Sequence, residues 1–331
     1  MAYQTGSAVD LEDLLSKLFT FATANGWVQD QLDNSINQAA LHKGTVFISM
    51  AWNTTSTTGE MSIHQATAYV GGNRPGTHTN DSGNGFNTSA SPTQPQIITE
   101  RCVFGILNGP YASYHFFEQD SGPAYLHVVV QVSSSVYRHF GFGNLVKTGD
   151  WTGGAYCYGH YQNSSSPIAQ TNSALFDGLF SNLTNPRRAA TIHVESLPNE
   201  PVASKWGQIW GQNDVTEPAD EAGNAKMNIQ GGFSGGPIAF AFGWLKAGTS
   251  SGLIPSYPIA LYYVDDTVNN FVYFLGFMPD VRGVNIATIA PEQEVTIGAD
   301  IWIFFPSSQQ TSVVNNNRTF NQGIMYKKVT A

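Results

Sequence analysis

Over residues 8–25 the apolar positions recur with the period of a helix. Leu11, Leu14, Leu15, Leu18, Phe19 and Ala22 follow i, i+3, i+4, i+7, i+8 and i+11, a single stripe along one face. Ser7 is placed to cap this helix, with Asp10 three residues on as its capping partner. Asp10, Glu12 and Asp13 put negative charge at the positive end of the helix dipole. Gly26 is placed to take the left-handed conformation that ends a helix, and Trp27 to pack back on Phe21 or Ala22. A second, short helix is expected over residues 33–41.

The period then changes to two. Strands are predicted over residues 45–52, 61–69, 97–107, 113–118, 124–133 and 136–142. Those at 113–118 and 124–133 form a hairpin across Gln119-Asp-Ser-Gly-Pro, a strong turn signal. In 124–133, Leu126, Val128, Val130 and Val132 alternate with His127, Val129 and Gln131. Further strands are expected over 189–194, 238–244, 259–263 and 267–277, with a helical turn at 173–180. Towards the end, Ile301, Ile303 and Phe305 fall on one face of a strand and Trp302 and Phe304 on the other. A strand that is large and apolar on both sides belongs inside the core, and Pro306 stops it by removing a ladder donor. The last strand, 322–328, is expected to pair beside residues 46–50, so that both ends of the chain close one sheet.

Two stretches break the pattern. Residues 71–96 are mostly Gly, Asn, Thr, Ser and Pro, with Phe86 as their one large apolar residue. Residues 145–161 are rich in Gly and aromatics and read as a loop laid over the core by its rings. The expected architecture is mainly β: an antiparallel β-sandwich or barrel-like core with one N-terminal amphipathic helix and long polar loops. It divides into a helical segment at 1–44 packed on a β domain at 45–331 with long loops at 71–96 and 145–236, all within one domain or as two parts.

Composition narrows the function classes. Of 331 residues, 12% are charged, against about a quarter in an average soluble domain. The formal net charge is −9 and there is no run of Lys or Arg, which argues against nucleic acid as a direct partner. Met1-Ala-Tyr-Gln-Thr-Gly has neither the basic nor the apolar part of a signal peptide. No apolar run approaches the ~20 residues of a membrane helix. Cys102 and Cys157 sit in no metal-ligand spacing; they are two thiols or one long-range disulfide.

Three patterns carry candidate chemistry. Gly232-Phe-Ser-Gly-Gly-Pro237 matches the Gly-x-Ser-x-Gly motif and resembles the nucleophile segment of trypsin-like proteases. Ser234 would be the nucleophile, with a base from His42, His64, His115, His127, His139, His160 or His193. No segment resembles that family's Ala-Ala-His-Cys, and a strand rather than a helix follows, so a glycine-rich turn is the favoured reading. The histidines lack metal spacing, although His115 and His127 are placed to meet across the hairpin, with His139 in the next strand. Acidic pairs at Asp265-Asp266 and Glu217/Asp220/Glu221 read as turns; no metal, cofactor or catalytic residue is assigned. The aromatics Trp151, Tyr156, Tyr158, Tyr161, Trp206 and Trp210 suit either a sugar platform or a core or subunit interface, and the latter is favoured.

A set of segments stands in order along the chain: Phe21-Ala-Thr-Ala-Asn-Gly-Trp27, Leu41-His-Lys-Gly-Thr-Val-Phe, Tyr125-Leu-His-Val-Val-Val and Tyr137-Arg-His-Phe-Gly-Phe-Gly-Asn-Leu145. Gly149-Asp-Trp-Thr-Gly-Gly154, Leu275-Gly-Phe-Met-Pro-Asp-Val-Arg-Gly-Val-Asn, Trp302-Ile-Phe-Phe-Pro and Asn321-Gln-Gly-Ile-Met-Tyr-Lys-Lys complete it. Together they resemble structural virion proteins of tailed bacteriophages, of the neck, tail or baseplate. The likeness omits residues 71–96 and 162–236. It implies a non-enzymatic component that assembles with itself and other virion proteins, is located in the virion and is made in the host cytoplasm. A module binding host-surface glycan is the alternative it leaves, and a serine hydrolase using Ser234 the remote one.

Overall fold

The computed structural model describes residues 2–53, 60–71, 79, 102–105, 109–119, 122–162, 171–173, 190–197, 206–210, 228–231, 256–265, 271–286, 289–306 and 322–330. The chain opens with β1 (Ala2–Ala8) and α1 (Leu11–Ala24). Next come β2 (Val28–Asp33), β3 (Gln38–Lys43), β4 (Val46–Asn53), β5 (Glu60–Ala66) and β6 (Cys102–Gly105). A meander of β7 (Tyr111–Glu118), β8 (Tyr125–Ser133) and β9 (Val136–Asn144) follows. Shorter strands come after it: β10 (Val146–Lys147), β11 (Thr152–Tyr158), β12 (His160–Gln162), β13 (Thr171–Ser173), β14 (Ala190–Ser196), β15 (Trp206–Trp210) and β16 (Asn228–Gly231). The C-terminal part holds β17 (Ser256–Asp265), β18 (Phe271–Asn285), β19 (Glu294–Ile297), β20 (Asp300–Pro306) and β21 (Gln322–Thr330).

Most of these strands belong to one long sheet. Its order is β1-β7-β8-β9-β11-β14-β15-β16-β17-β18-β21-β20-β19, with β10 added beside β18. A second sheet runs β2-β3-β4-β5-β6, and β12 pairs with β13. Pairing is antiparallel apart from β15 with β16. The long sheet doubles back, so that β17, β18, β20 and β21 cover one face of β7, β8, β9 and β11. Their shared core includes Phe117, Val129, Tyr156, Tyr158, Leu261, Leu275, Phe305 and Tyr326. The opposite face of the same middle strands carries Phe116, Leu126, Val128, Val130, Phe140 and Phe142 against α1 and the five-stranded sheet. The result is a layered antiparallel sandwich that is not closed into a barrel, since β1 and β19 remain as sheet ends.

The alternation in the sequence explains this layering. On β8 the even-numbered residues 126–130 face the helix and the odd ones face the doubled-back strands. Each fully buried Leu, Val or Phe contributes about 1.5–3 kcal/mol, so a strand loaded on both faces anchors two cores at once. The strand over 300–306 is likewise two-sided. Ile303 and Phe305 enter the shared core, while Trp302 and Phe304 join a smaller cluster with Val284, Ile286 and Met325. It lies second from the end of its sheet, between β21 and the exposed β19.

Helix α1 covers its whole apolar stripe but starts at Leu11 rather than at residue 8, and its cap differs. Asp10 accepts from the Asp13 backbone N–H at 2.8 Å, and Asp13 accepts from the Val9 N–H at 3.0 Å. This is a capping box three residues later than the one expected at Ser7, because residues 2–8 are taken by pairing of β1 with β7. The C-terminus ends as predicted. Gly26 has φ +83°, the Trp27 N–H reaches Ala22 O and the Gly26 N–H reaches Thr23 O. Trp27 turns its edge to Phe142, with ring centroids 5.4 Å apart. The last turn of α1 holds no basic residue, and Lys43 complements the negative end of the dipole from β3: it donates to Asn25 O at 2.8 Å and pairs with the buried Glu118.

Four expectations are overturned. Residues 33–41 form no helix: β2 and β3 make a hairpin through Asn37 at φ +54°, and Ala39 and Leu41 become core residues of a strand. Ala, Gln and Leu favour helices intrinsically, but pairing with β4 decides. Residues 145–161 are not a covering loop, since β10, β11 and β12 lie there, and β14 and β15 interrupt the rest of 145–236. Residues 1–44 are not merely a helical segment, because they supply β1 to one sheet and β2 and β3 to the other. The last strand does not pair beside residues 46–50: β21 lies between β18 and β20, while β4 belongs to the five-stranded sheet. Except for residue 71 and an isolated bridge from Ala68 to Thr79, the stretch 71–96 lies outside the described residues, as do 174–180 and 238–244.

Candidate functional site

Polar chemistry gathers between the middle strands and the doubled-back ones. Strands β7, β8 and β9 each turn one histidine into this space, and those of β8 and β9 are bonded alike. His127 Nε2 lies 3.0 Å from Pro279 O, and its Nδ1 lies 2.9 Å from the Tyr158 hydroxyl. His139 Nε2 lies 2.8 Å from Pro306 O, and its Nδ1 lies 3.0 Å from the Tyr326 hydroxyl. His115 Nδ1 lies 2.8 Å from the Tyr3 hydroxyl, and its Nε2 lies 3.5 Å from Glu292 Oε1, a longer contact.

These partners determine the tautomers. A carbonyl oxygen only accepts, so in His127 and His139 Nε2 carries the proton and Nδ1 accepts from the tyrosine. Tyr158 and Tyr326 therefore spend their protons on histidines, although their hydroxyls stand 3.4 Å apart. Burial keeps the rings neutral: His127 is pushed down to about 4, and His139 to about 3 with the Arg138 charge adding to the effect. Tyr158 and Tyr326 are pushed up by the same desolvation.

Local sequence makes room for these rings. His127 lies across from Gly141 and Tyr125 across from Gly143 in the β8–β9 ladder. A Cβ at Gly141 would stand 2.8 Å from His127 Nδ1 and from the Tyr158 ring, and one at Gly143 would stand 2.5 Å from Tyr125 Cβ. The acceptors come from breaks in the ladder. Pro258 pairs with Arg282 and Ala260 with Phe277, so residues 278–281 of β18 bulge against a single residue of β17. Asp280 in this bend has φ +52°, accepts from the Tyr125 hydroxyl at 3.0 Å, and lies 3.8 Å from Lys327. The carbonyl of Pro279 thereby points at His127, and that of Pro306, where β20 ends, points at His139.

Glu292 closes the cluster at its outer end. It accepts from Ser113 at 2.7 Å and Tyr137 at 3.1 Å. Its contact with His115, and then those two hydroxyls, hold it down at about 2 against partial burial. Ser113 is thus bonded to a carboxylate rather than to a histidine, so no serine–histidine nucleophile forms here.

The aromatics singled out in the sequence go elsewhere than onto a platform. Trp151, Tyr156 and Tyr158 are buried, at 6%, 0% and 0% exposure, in the core shared by the two halves of the long sheet. Trp151 donates from Nε1 to Leu275 O at 3.2 Å, with Lys147 5.3 Å over its ring. Tyr161 lies in β12, and Trp206 and Trp210 bound β15, opposite His193 and Gln230 respectively. The side chains of these three fall outside the described residues, as do Ser234, Asp266, Glu217, Asp220, Glu221 and the side chains of Asp265, His160 and Cys102. Cys157 is buried on the helix-facing side of β11.

His115 and His127 do not face one another across the hairpin: His115 is opposite Val129, and Phe117 is opposite His127. Among the described residues no group of three or more His, Cys, Asp or Glu could hold a metal ion. The ring nitrogens of His127 and His139 are in any case committed to tyrosines and carbonyls. The sequence signal for this cluster was present but faint: one histidine on the inward face of each of three neighbouring strands, with Gly141 and Gly143 opposite the bulky pair. Its acceptors, two proline carbonyls some 150 residues away, left no mark in the local pattern. No protein-family model matches the chain, and no curated protein matches it.

Proposed function

We propose that the chain is a non-enzymatic structural component of a tailed-phage virion, in a neck collar, tail or baseplate, assembling with copies of itself and with other virion proteins. One observation carries the reading. The side chains with the most chemical potential, His115, His127, His139 and their tyrosines, are used to join strands to one another. Such a network rigidifies a core and specifies one arrangement of its layers, which suits a part that must keep its shape in a particle. The segments that resemble virion proteins also meet here: Tyr125 and His127, His139 and Gly141, Pro279 and Asp280, Pro306, and Tyr326 with Lys327. The burial of Trp151, Tyr156 and Tyr158 takes away three of the six rings offered for a glycan platform.

The test is the mass and location of the chain. Light scattering after size exclusion is expected to give a symmetric multiple of 35.8 kDa, and mass spectrometry of purified particles is expected to find the chain at ring-like copy number. A monomer at every concentration, absent from particles, would end this reading. Covalent labelling of Ser234 by a fluorophosphonate would replace it with a hydrolase.

A further inference from the structure

The outer face of the five-stranded sheet carries a second constellation, remote from the histidine core. In β2 the pairing runs Gln29 with Leu41, then Gln31 with Ala40, so Asp30 is an inserted residue. Such a bulge re-aims a side chain. Here Asp30 Oδ2 accepts from His42 Nδ1 at 2.7 Å, and the imidazole stacks on Phe47 with centroids 5.0 Å apart. Beside this pair is a small depression with room for roughly one water-sized group, lined among the described residues chiefly by Asp30, Ala40, Phe47, Ser49, Ala66 and Tyr69. Ser49 is 2% exposed, and its hydroxyl has no hydrogen-bond partner.

We propose that this depression is a socket for a primary ammonium group on an alkyl stem. Among the described lining residues the polar side-chain groups are the Asp30 carboxylate, the unspent Ser49 hydroxyl and the Tyr69 hydroxyl, which is bonded to Gln31 Oε1 at 3.3 Å; the rest are apolar. An anion would meet Asp30 on a chain of net charge −9. A sugar needs more hydrogen-bond partners than these. An ammonium is water-sized, donates to both Asp30 and Ser49, and is attracted to the faces of aromatic rings such as Phe47 and Tyr69. Its methylene stem matches Ala40 and Ala66.

The cation comes from another molecule or from outside the described part of the chain. Each described lysine is already engaged: Lys17 with Asp13, Lys43 with Glu118, Lys147 with Trp151, Lys327 with Asp300 and Lys328 with Glu294. The same chemistry is offered by a free diamine and by a lysine of a partner protein. The inference does not depend on the virion reading.

The test is a titration of the full-length protein, following the backbone amide resonances of residues 30 and 49. The probes are cadaverine, the peptide acetyl-Ala-Lys-Ala-amide, its Nζ-acetylated form and methyl glucoside. Saturable shifts are expected with one or both amines and none with the acetylated peptide or the glucoside. Tighter binding of the diamine identifies a small-molecule ligand, and tighter binding of the peptide a protein partner. Asp30→Asn keeps an oxygen for His42 and is expected to weaken binding about tenfold or more. Ser49→Val fills the socket and is expected to abolish binding, which covers the case of a poorly folded Asp30→Asn. No saturable shift with either amine, an equal response to the acetylated peptide, or unchanged affinity in both variants would overturn the proposal.

Discussion

The two faces of β7, β8 and β9 are built on different principles. One face presents Phe116, Leu126, Val128, Val130, Phe140 and Phe142 to the helix and the five-stranded sheet. The other presents His115, His127 and His139 to partners at 2.8–3.5 Å. The first is held by burial, which has no direction and tolerates any close-packed shape of similar volume. The second is held by bonds that fail if either half of the long sheet slides by one residue. Both faces gain stability from burial, and the directed bonds of the second add the uniqueness of the arrangement.

The largest expected effect comes from the apolar side. Phe140→Ala removes a ring packed at the centre of that face and should cost about 3–5 kcal/mol in denaturant unfolding. The loss should hardly vary with pH. A strongly pH-dependent loss would mean that the two faces are coupled through β9 rather than independent.

Acid should act on the polar face. His127 and His139 sit at about 4 and about 3 in the folded chain, below the unfolded value of about 6.5. A group whose pKa falls on folding stabilises fully above its unfolded pKa, and that stability is lost as pH drops through the folded one. The loss should therefore begin near pH 6.5 and be largely complete near pH 3. Glu292, at about 2 against 4.5 unfolded, adds a loss below pH 4.5. The unfolding free energy from urea titrations should fall by an amount on the order of a few kcal/mol between about pH 7 and about pH 4. The variant carrying both His127→Leu and His139→Leu should lose most of that slope. An undiminished slope would place the responsible groups elsewhere.

The smallest expected effect separates the bond from the space it occupies. His127→Leu strands the Tyr158 hydroxyl and the Pro279 carbonyl and should cost about 2 kcal/mol. Adding Tyr158→Phe removes one stranded group and should recover about 1 kcal/mol of it, measured as a double-mutant cycle. Strict additivity would show that the two side chains do not act as a pair.

Much of this was legible in the residues themselves. The apolar stripe of α1 and its Gly26-Trp27 end follow from helix geometry alone, and so does the two-sided character of the strand ending at Pro306. The alternation over Leu126 to Val132 correctly separated the two faces of β8. The failures share one cause. Residues 33–41 have helical propensity, and residues 145–161 look like a loop; both became strands because a neighbour offered a ladder. Gly153 illustrates the point: a Cβ there would run into the His193 carbonyl, a contact with a strand some 40 residues on.

The sequence by itself determined the class of this protein, because period and turn chemistry are local and are written where they act. Strand alternation also put His127 on the face opposite to Leu126, Val128 and Val130, since it depends only on position. What tertiary structure alone decided is where the ends go and what the histidines do. The last strand lies between β18 and β20 rather than beside β4, and the proline carbonyls of two distant strands complete the imidazole bonds. Long-range partners of this kind are selected by the joint burial of many residues, and no short stretch of the chain encodes that choice.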